Sequence, residues 1–523
     1  MKPLITLLLA LAACLSAAAQ DNTESFYGIR YQILDDDART CKVIYADTYA
    51  ELAAAKPQIS VASSVDINGK TYTVTAIDDE AFCGTAFTSI SLPEGITTIG
   101  HFAFEGCTNL TYLNIPSNVT TIGEEAFSGA PCFGSKVQIS VNLREIGFAA
   151  FDCPGLTEYS VAVGNPNFCS IDGVLFSKDR KTLIDYPWGR PAAPYTVPAG
   201  TTTIAQDAFS GRHLTSLTLP EGLTTIIEYA FWGSTIDGPL TLPASLTDIS
   251  EDAFSECHGV TAFNIAPAST TFASRDGVLF SKDMTTLRFY PIGRPADAYI
   301  VPDGVTTIGA NAFRAAQNLK HLYLPEGLTT ISPVAVYGCH SLADIVIPAS
   351  VTTIGGYAFG DCSKLANIYC RSTVPAQVGS DAFYCTAQGC TLHIPTGTKS
   401  AYQNKGWNGN FLSNYSEEAE VTPPCAKPVI HVNGGKFSVT CATPGARIIC
   451  EYESSEFSSS KGWTGPKLYS TPKLTIKAYA IAEGYTDSTD ATCTITSGNN
   501  DIDGSGATDL DDLNTLIDGI LQK

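Results

Sequence analysis

Residues 107–127 read CTNLTYLNIPSNVTTIGEEAF and contain one copy of the pattern that decides the fold. Leu110 and Ile115 lie at the apolar spacing of a short strand. Pro116 ends this strand, because proline has no N–H to give to a sheet. A second extended segment follows and leads into an Ala-Phe dipeptide. We predict that this dipeptide lies in a single helical turn that faces the core.

The Ala-Phe dipeptide returns at regular intervals along the chain, and Val336 replaces the phenylalanine once. The phenylalanines are Phe82, Phe104, Phe127, Phe151, Phe209, Phe231, Phe254, Phe313, Phe359 and Phe383. Successive copies are 22 to 24 residues apart, except for two steps of 58 and 59 residues. Such a period predicts a solenoid, in which each coil buries its apolar face against its neighbours. Solenoids mostly present surfaces rather than catalytic clefts.

The motif I-x-x-x-A-F-x-G-C-x-x-L, with LPEGITTIG and IPSNVTTIG between copies, resembles the BspA-type leucine-rich repeats of bacterial surface proteins. The resemblance covers residues 76–395 and implies a β-rich solenoid. Members of that family are secreted or displayed on the cell surface. Those with an assigned role are mainly adhesins that bind host proteins or neighbouring cells, so the resemblance implies adhesion.

The two long steps contain a duplicated insert, near residues 164–200 and 268–304. Each copy has an Asp-Gly pair between apolar runs, starting at Asp172 and Asp276, which is typical of a two-residue hairpin turn. We predict that each insert is a small hairpin that projects from the stack. It is either a structural module or a ligand-binding protrusion. The side chains of the second interpretation are Tyr186, Trp188, Arg190, Tyr290 and Arg294.

Charge and motif content argue against several function classes. The formal net charge of the 523 residues is −21, which repels phosphate backbones, so we predict no nucleic-acid partner. No zinc-protease motif, phosphate-binding loop or nucleophile elbow is present, and we predict no enzymatic activity. Acidic residues before the Ala-Phe pairs are predicted to begin short helices, where the helix dipole favours negative charge. They include Glu124, Glu125, Glu251 and Asp252.

The N-terminal segment predicts export. Residues 1–19 combine Lys2, an apolar run and an A-x-A site, which is the pattern of a cleaved secretory signal peptide. The residues before Cys14 also fit a lipoprotein box, and acylation there would anchor the protein to a membrane. Both interpretations place the protein outside the cell or on its surface.

The open ends of a solenoid need caps, since an uncovered coil edge invites aggregation. Residues 20–75 alternate apolar and polar side chains about Asn68-Gly69 and predict an N-terminal β cap. Residues 396–424 predict a C-terminal cap and linker, with Tyr402 and Trp407 folded over the last coil.

Most cysteines of the repeats are predicted to be buried thiols. Cys107, Cys257, Cys339 and Cys362 each lie three residues after the second residue of the Ala-Phe slot. Stacked equivalents have parallel Cβ vectors that do not converge on a disulfide. Better disulfide candidates lie in the non-repeating region, at Cys425, Cys441, Cys450 and Cys493.

Residues 425–497 change to short alternating strands with turn signals, which predicts a small β-sandwich. This segment resembles the fibronectin-like C-terminal module of chitobiases and other secreted glycan-active proteins. The resemblance implies a spacer or accessory domain and carries over no catalytic residue.

Residues 498–523 contain DIDGSGATDLDD, whose oxygen-bearing residues have the spacing of an EF-hand-type calcium loop. The predicted Ca²⁺ ligands are Asp501, Asp503, Ser505, Ala507 through its carbonyl, Asp509 and Asp512. An apolar stripe after the loop predicts one exiting helix. The segment resembles a single repeat of a dockerin, which implies a cohesin-like partner, although dockerins normally carry two repeats. The alternative is a solvated acidic tail.

Aromatic residues beside the Ala-Phe slots are the predicted ligand contacts, or else they pack in the core and caps. They are Phe102, Tyr229, Trp232, Tyr337, Tyr357 and Tyr384. Two functions remain open. One is an adhesin that recognises host proteins or cell-surface polymers. The other is a glycan-binding accessory component of a secreted polysaccharide-degrading assembly, recruited through the dockerin-like tail.

Overall fold

The computed structural model describes residues 22–45, 49–131, 134–384, 386–407, 412, 414–421, 423, 425, 429–433, 436–440, 443, 446–454, 473–481 and 491–496. The predicted signal peptide and calcium segment lie outside these residues. The chain divides into two compact units. The first comprises Met1–Val260 with Asn264–Phe272, and the second comprises Thr261–Phe263 with Ala273–Lys523.

The first unit opens with strands and one short helix and continues as repeated coils. Its elements are β1 (Thr23–Phe26), β2 (Ile29–Asp35), β3 (Thr40–Val43), α1 (Tyr49–Ala55), β4 (Gln58–Ser60), β5 (Ser64–Ile67), β6 (Lys70–Ile77), β7 (Ser89–Ser91), β8 (Thr98–Ile99), β9 (Tyr112–Leu113), β10 (Thr121–Ile122), β11 (Lys136–Ile139), β12 (Glu145–Ile146), β13 (Glu158–Val161), β14 (Phe168–Ile171), β15 (Val174–Ser177), β16 (Thr182–Asp185), β17 (Ala193–Thr196), β18 (Thr203–Ile204), β19 (His213–Thr218), β20 (Thr225–Ile226), β21 (Thr235–Leu242), β22 (Asp248–Ile249) and β23 (His258–Ile265).

The second unit repeats the same coil and continues into further strands. Its elements, with β24 at the boundary between the units, are β24 (Phe272–Arg275), β25 (Val278–Ser281), β26 (Thr286–Phe289), β27 (Ala298–Ile300), β28 (Thr307–Ile308), β29 (His321–Tyr323), β30 (Thr330–Ile331), β31 (Asp344–Ile347), β32 (Thr353–Ile354), β33 (Asn367–Cys370), β34 (Gln377–Val378), β35 (Thr391–Pro395), α2 (Lys399–Asn404), β36 (Asn414–Glu418), β37 (Val429–Asn433), β38 (Lys436–Thr440), β39 (Arg447–Ser454), β40 (Lys473–Ile481) and β41 (Ala491–Thr496).

Each coil has three sides, and two of them are parallel β ladders. One ladder is built from the Thr-Thr-Ile motif and runs through β6, β8, β10 and β12, through β16, β18, β20 and β22, and in the second unit from β26 to β34. Its isoleucines point into the core, and threonines join the coils, as when the Thr120 hydroxyl donates to the Thr97 carbonyl at 3.1 Å. The other ladder contains β17, β19, β21 and β23, and in the second unit β31, β33, β35 and β36. The predicted β-solenoid is confirmed.

The third side of the coil holds the Ala-Phe pairs, whose rings stack along the core. Phe104 and Phe127 have ring centroids 5.3 Å apart, and Phe231 and Phe254 are 5.0 Å apart. Trp407 continues the stack at 5.3 Å from Phe383 and is only 1% exposed. The predicted packing of Trp407 over the last coil is therefore confirmed.

The Ala-Phe segments are hydrogen-bonded turns, so the predicted helical turn is wrong. Some of their N–H groups donate to the next coil, as from Phe104 to the Ala126 carbonyl at 2.8 Å, and others donate three residues back within the turn, as from Glu105 to the Phe102 carbonyl at 3.1 Å. On most coils the residue before the alanine takes a positive φ, 48° at Glu125, which a right-handed α-helix does not contain. The helix-dipole explanation of the acidic residues therefore fails.

The two inserts contain the predicted hairpins but do not simply project. In the first, β14 and β15 pair across Asp172-Gly173, and β16 then joins the parallel ladder beside β18. Tyr186 occupies the phenylalanine slot, with its ring centroid 5.3 Å from that of Phe209. Tyr290 does the same in the second insert, 5.0 Å from Phe313. Each insert therefore supplies a complete coil of its own.

The predicted buried thiols are confirmed. Cys107, Cys257, Cys339 and Cys362 are buried and free, and burial raises the pKa of each thiol. Three of these thiols donate to a carbonyl of the preceding coil, as from Cys339 to Phe313 at 3.1 Å. One repeat cysteine differs, since Cys153 is disulfide-bonded. The side chains of the disulfide candidates Cys441, Cys450 and Cys493 lie outside the described part of the chain.

The C-terminal strands form two antiparallel groups. One pairs β37 with β38, and the other orders β39, β40 and β41. The small β-sandwich remains a prediction for this region.

Candidate ligand-binding surface

The six predicted contact aromatics all lie on the side of the coils that carries the Ala-Phe turns, which we call the turn edge. Alanine and phenylalanine point inward there, so the residues on either side of the pair face outward. Phe102, Tyr229 and Tyr357 precede the alanine, at φ values of 55°, 55° and 54°. Trp232 and Tyr384 follow the phenylalanine.

Four of these aromatics are substantially exposed. The exposed fractions are 41% for Tyr229, 41% for Trp232, 42% for Tyr357 and 45% for Tyr384. The remaining two, Phe102 and Tyr337, are half-buried. Single exposed apolar side chains are normal, whereas exposed aromatic rings that lie together on one side of a protein are a candidate interaction surface.

In the second unit the turn edge carries a row of tyrosines with fewer carboxylates than in the first unit. The rings of Tyr357 and Tyr384 meet edge to face, with centroids 6.1 Å apart. The Tyr337 ring lies over Gly360, where a Cβ atom would approach it to 2.9 Å. The Arg314 guanidinium lies 5.1 Å from the centroid of Tyr337.

In the first unit the turn edge is acidic as well as aromatic. The residues before alanine on three successive coils are Asp207, Tyr229 and Asp252. Glu228 and Glu251 precede them on two of these coils and are exposed. The same side of the earlier coils carries further carboxylates: Asp79, Glu80, Glu105, Glu124 and Glu125.

A cavity of about 180 Å³ opens where the Thr-Thr-Ile ladder is interrupted between β12 and β16. Its apolar lining includes Ile146 and Ile184, and its polar lining includes Tyr159, Asp185, Gln206 and Asp207. We call this cavity the insert pocket. The first insert creates it, because β16 pairs with β18 and not with β12.

Next to the insert pocket, a buried arginine forms hydrogen bonds and ion pairs that link the insert to the neighbouring coils. Arg212 is 2% exposed, and its Nη2 donates to Asp152 at 2.7 Å and to Asp185 at 3.1 Å. Its Nε donates to the Tyr186 carbonyl at 2.6 Å, and the Tyr159 hydroxyl donates to the second oxygen of Asp185. The network connects the insert with the coils on both sides of it.

The environment of the pocket perturbs both of its carboxyl groups. Burial raises the pKa of Asp185 to about 6, against the opposing effect of Arg212. Burial also raises the pKa of Asp207 to about 6, and repulsion from Asp152 adds to the shift. Burial alone would lower the pKa of Arg212, but Asp185 and Asp152 outweigh it and raise that pKa.

Sequence reasoning missed this network, although one signal was present. Arg212 lies three residues after Phe209. On four other coils this repeat position is a cysteine: Cys107, Cys257, Cys339 and Cys362. A charged residue in a small buried slot indicates partners from other coils.

The aromatic residues proposed for a protruding insert are mostly structural. Tyr186 and Tyr290 are 4% exposed and belong to the ring stack. Trp188 is 38% exposed, with the Arg212 guanidinium 5.6 Å from its ring centroid. Arg190 lies over Tyr186, and Arg294 lies over Tyr299.

The predicted calcium ligands, residues 501–512, fall outside the described residues. Within the described part of the chain, no group of three or more His, Cys, Asp or Glu side chains is arranged to hold a metal ion. Among the same residues, no helix has the length and apolarity needed to cross a membrane.

The coils and their outward-facing turn edge define a leucine-rich repeat solenoid. The family model for the BspA type leucine rich repeat region matches residues 75–187, 193–289 and 295–405 in six copies. These ranges make up more than half of the chain, and the protein belongs to this family. Proteins with such repeats are generally non-enzymatic, typically bind protein ligands and generally lie at the cell surface.

Solved structures of bacterial leucine-rich repeat proteins are similar to this chain. One from Eubacterium ventriosum is 20% identical, covers 64% of this chain and 92% of its own, and has a TM-score of 0.43. A leucine rich cell surface protein from Faecalibacterium prausnitzii is 23% identical, with coverages of 76% and 95% and a TM-score of 0.36. A leucine-rich repeat protein from Bacteroides ovatus is 20% identical, with coverages of 75% and 97% and a TM-score of 0.33. No curated protein matches the chain significantly.

Proposed function

We propose that this protein is a secreted or cell-surface adhesin that binds a protein or polymer ligand through its turn edge. The observation that carries the proposal is the set of four aromatic side chains there that are 41–45% exposed. Tyrosine and tryptophan supply large contact areas at low entropic cost and are enriched at binding interfaces. The ring stack beneath them fixes the backbone, so the surface is organised before a ligand arrives.

The test is binding of the purified mature chain to panels of matrix proteins and polysaccharides. Two double variants remove the exposed rings from one unit each: Tyr229→Ser with Trp232→Ser, and Tyr357→Ser with Tyr384→Ser. We expect at least a tenfold loss of affinity in one of them, because aromatic side chains that become buried on binding contribute most of the binding energy of an interface. The control is Tyr112→Ser, since Tyr112 is 56% exposed but belongs to β9, away from the turn edge. Unchanged binding in both double variants would contradict the proposal.

The same panel addresses the second hypothesis, an accessory glycan-binding component. Selective binding of polysaccharides, or capture by a cohesin-like protein that depends on calcium, would favour that function over adhesion to proteins.

We further propose that residues 501–512 bind Ca²⁺, on the strength of the ligand spacing in the sequence. Isothermal titration of the mature chain with CaCl₂ should give one site. The double variant Asp501→Asn with Asp503→Asn should abolish it, whereas Asp490→Asn, upstream of the loop, should leave it intact. Absence of a calcium signal in the unaltered chain would reject the site.

A further inference from the structure

The insert pocket combines two kinds of lining that suit one class of ligand. Ile146 and Ile184 supply apolar surface, and Asp185 and Asp207 supply carboxylates. Lysine and arginine side chains have the complementary build, an apolar stem that ends in a cation. A neutral apolar ligand would remove water from both carboxylates without adding a positive charge, and Asp207 has only a hydrogen bond to Ser210 to offset that loss.

The local charge balance leaves room for an added cation. Asp152 repels Asp185, Asp207 and Glu125, and Glu125 also repels Asp207, whereas Arg212 attracts Asp152, Asp185 and Asp207. Arg212 pairs with Asp152 and Asp185, whereas the side chain of Asp207 hydrogen-bonds to Ser210. The excess of carboxylates explains why repulsion helps to raise the pKa of Asp207.

The surface beside the pocket also combines carboxylates with apolar groups. Asp207 belongs both to the pocket and to the turn edge, where Tyr229 and Asp252 occupy its position on the next two coils. Trp232 lies on the same turn as Tyr229. Alternating carboxylates and aromatic rings suit a chain segment with several cationic side chains, which both groups attract.

The protein carries its own altered copy of the site. Counting 104 residues on from Asp185 and Asp207 leads to Phe289 in the second insert and to Asn311 on the coil that follows it. Asn311 has a φ of 56°, against 55° for Asp207, so the backbone is the same where the charge is absent. The carboxylates are therefore not a requirement of the insert fold.

We infer that the insert pocket binds the side chain of a lysine or arginine from a basic segment of a protein ligand. This inference rests on the proposed adhesin function and names the chemistry of its partner. The remainder of the basic segment would follow the acidic and aromatic turn edge of the first unit.

The probes are three pentapeptides with blocked ends, Gly-Ser-X-Ser-Gly, in which X is lysine, arginine or glutamine. Saturation-transfer NMR with the full chain at pH 7.5 should detect the lysine or arginine peptide and should give at least tenfold weaker binding for glutamine. Lowering the pH to 5 should weaken binding, because Asp185 and Asp207 then become protonated. The groups facing them are Asp152, Glu125, Arg212, Tyr159 and Ser210.

Two variants of the insert pocket test the site by charge and by shape. Asp207→Asn reproduces Asn311, the residue found 104 positions later, and Gln206→Trp fills the pocket. Each should reduce peptide binding at least fivefold without lowering the unfolding midpoint. The matched control is Asp381→Asn, because Asp381 holds the same repeat position in the second unit, with a φ of 53°.

Equal binding of the glutamine peptide, or an equal loss in Asp381→Asn, would overturn the inference in favour of general attraction to an acidic protein. Matrix-protein binding that survives Asp207→Asn but not the aromatic double variants would also overturn it, while leaving the proposed function intact.

Discussion

The two duplicated blocks, residues 157–212 and 261–316, share a backbone and differ in what joins the insert to its coil. The Tyr159 N–H donates to the Gly173 carbonyl at 2.8 Å, and the equivalent bond from Phe263 to Gly277 is 2.7 Å. Tyr159, Asp185 and Arg212 of the first block correspond to Phe263, Phe289 and Ala316 of the second.

In the second block, an apolar contact replaces the charged network. The rings of Phe263 and Phe289 are 6.2 Å apart, and both residues are buried, as is Ala316. Replacing a buried ion pair by packed apolar groups is often neutral or stabilising. The comparison teaches that the fold tolerates both solutions, so the charged network is not needed for folding and is available for a site.

The largest effect should come from breaking the network halfway. Arg212→Ala leaves Asp152 and Asp185 without their cation and should lower the free energy of unfolding by about 3–5 kcal/mol. The triple variant Tyr159→Phe, Asp185→Phe and Arg212→Ala copies the second block and should recover most of that loss. Urea unfolding followed by circular dichroism measures both. A triple variant as unstable as the single one would show that the blocks are not interchangeable.

A second test probes what the blocks share. Gly173 and Gly277 have φ values of +76° and +77°, and a Cβ atom would lie 2.8 Å from Glu158 Cβ in one and 2.7 Å from Ala262 Cβ in the other. Alanine at either position should therefore cost about 2 kcal/mol, through strain and crowding together. Thermal unfolding of the two variants should give matching shifts. If one variant shifted the unfolding temperature by less than half as much as the other, the two hairpins would be packed differently.

A third test uses pH. Because the pKa of Asp207 is raised to about 6, the folded chain holds this proton more tightly than the unfolded chain does. Its contribution to stability is present below pH 4 and is lost as the pH rises through 6. Asp207→Asn should therefore be more stable than the parent by about 1 kcal/mol at pH 7.5, a value reduced for partial exposure, and equal to it near pH 4.

The reverse substitution, Asn311→Asp in the second block, complements the pH test. This variant should lose stability relative to the parent as the pH rises, whereas Asp207→Asn gains it. Urea midpoints from pH 4 to 7.5 provide the comparison. A pH-independent difference for Asp207→Asn would contradict the raised pKa.

The smallest effect concerns the two tyrosines of the ring stack. The Tyr290 hydroxyl is buried without a hydrogen-bond partner in the described structure, whereas Tyr186 hydrogen-bonds to Arg190. Tyr290→Phe should therefore be neutral or stabilising by up to about 1 kcal/mol, and Tyr186→Phe should be destabilising by about 0.5–1 kcal/mol. Calorimetry of both variants checks the sign, and the same sign in both would refute the distinction.

Features that repeat with the coil were predictable from the sequence. The Ala-Phe period indicated the solenoid, the Asp-Gly pairs indicated the hairpin turns, and the slot of Cys339 and Cys362 indicated buried thiols. The helical turn was predicted wrongly, because the same apolar spacing also suits a turn that bonds to the next coil. The position of Tyr186 in the ring stack was not predicted, because no alanine precedes it to mark the phenylalanine slot.

The sequence by itself determined the architecture, because each coil repeats the same local choice and neighbouring coils must satisfy it together. Only the tertiary structure decided which residues meet across the inserts. Asp152, Asp185 and Arg212 are separated by up to 60 residues, and they come together because β16 enters the stack as an extra coil. Contacts of that kind depend on how the chain is threaded between coils, which periodicity does not specify.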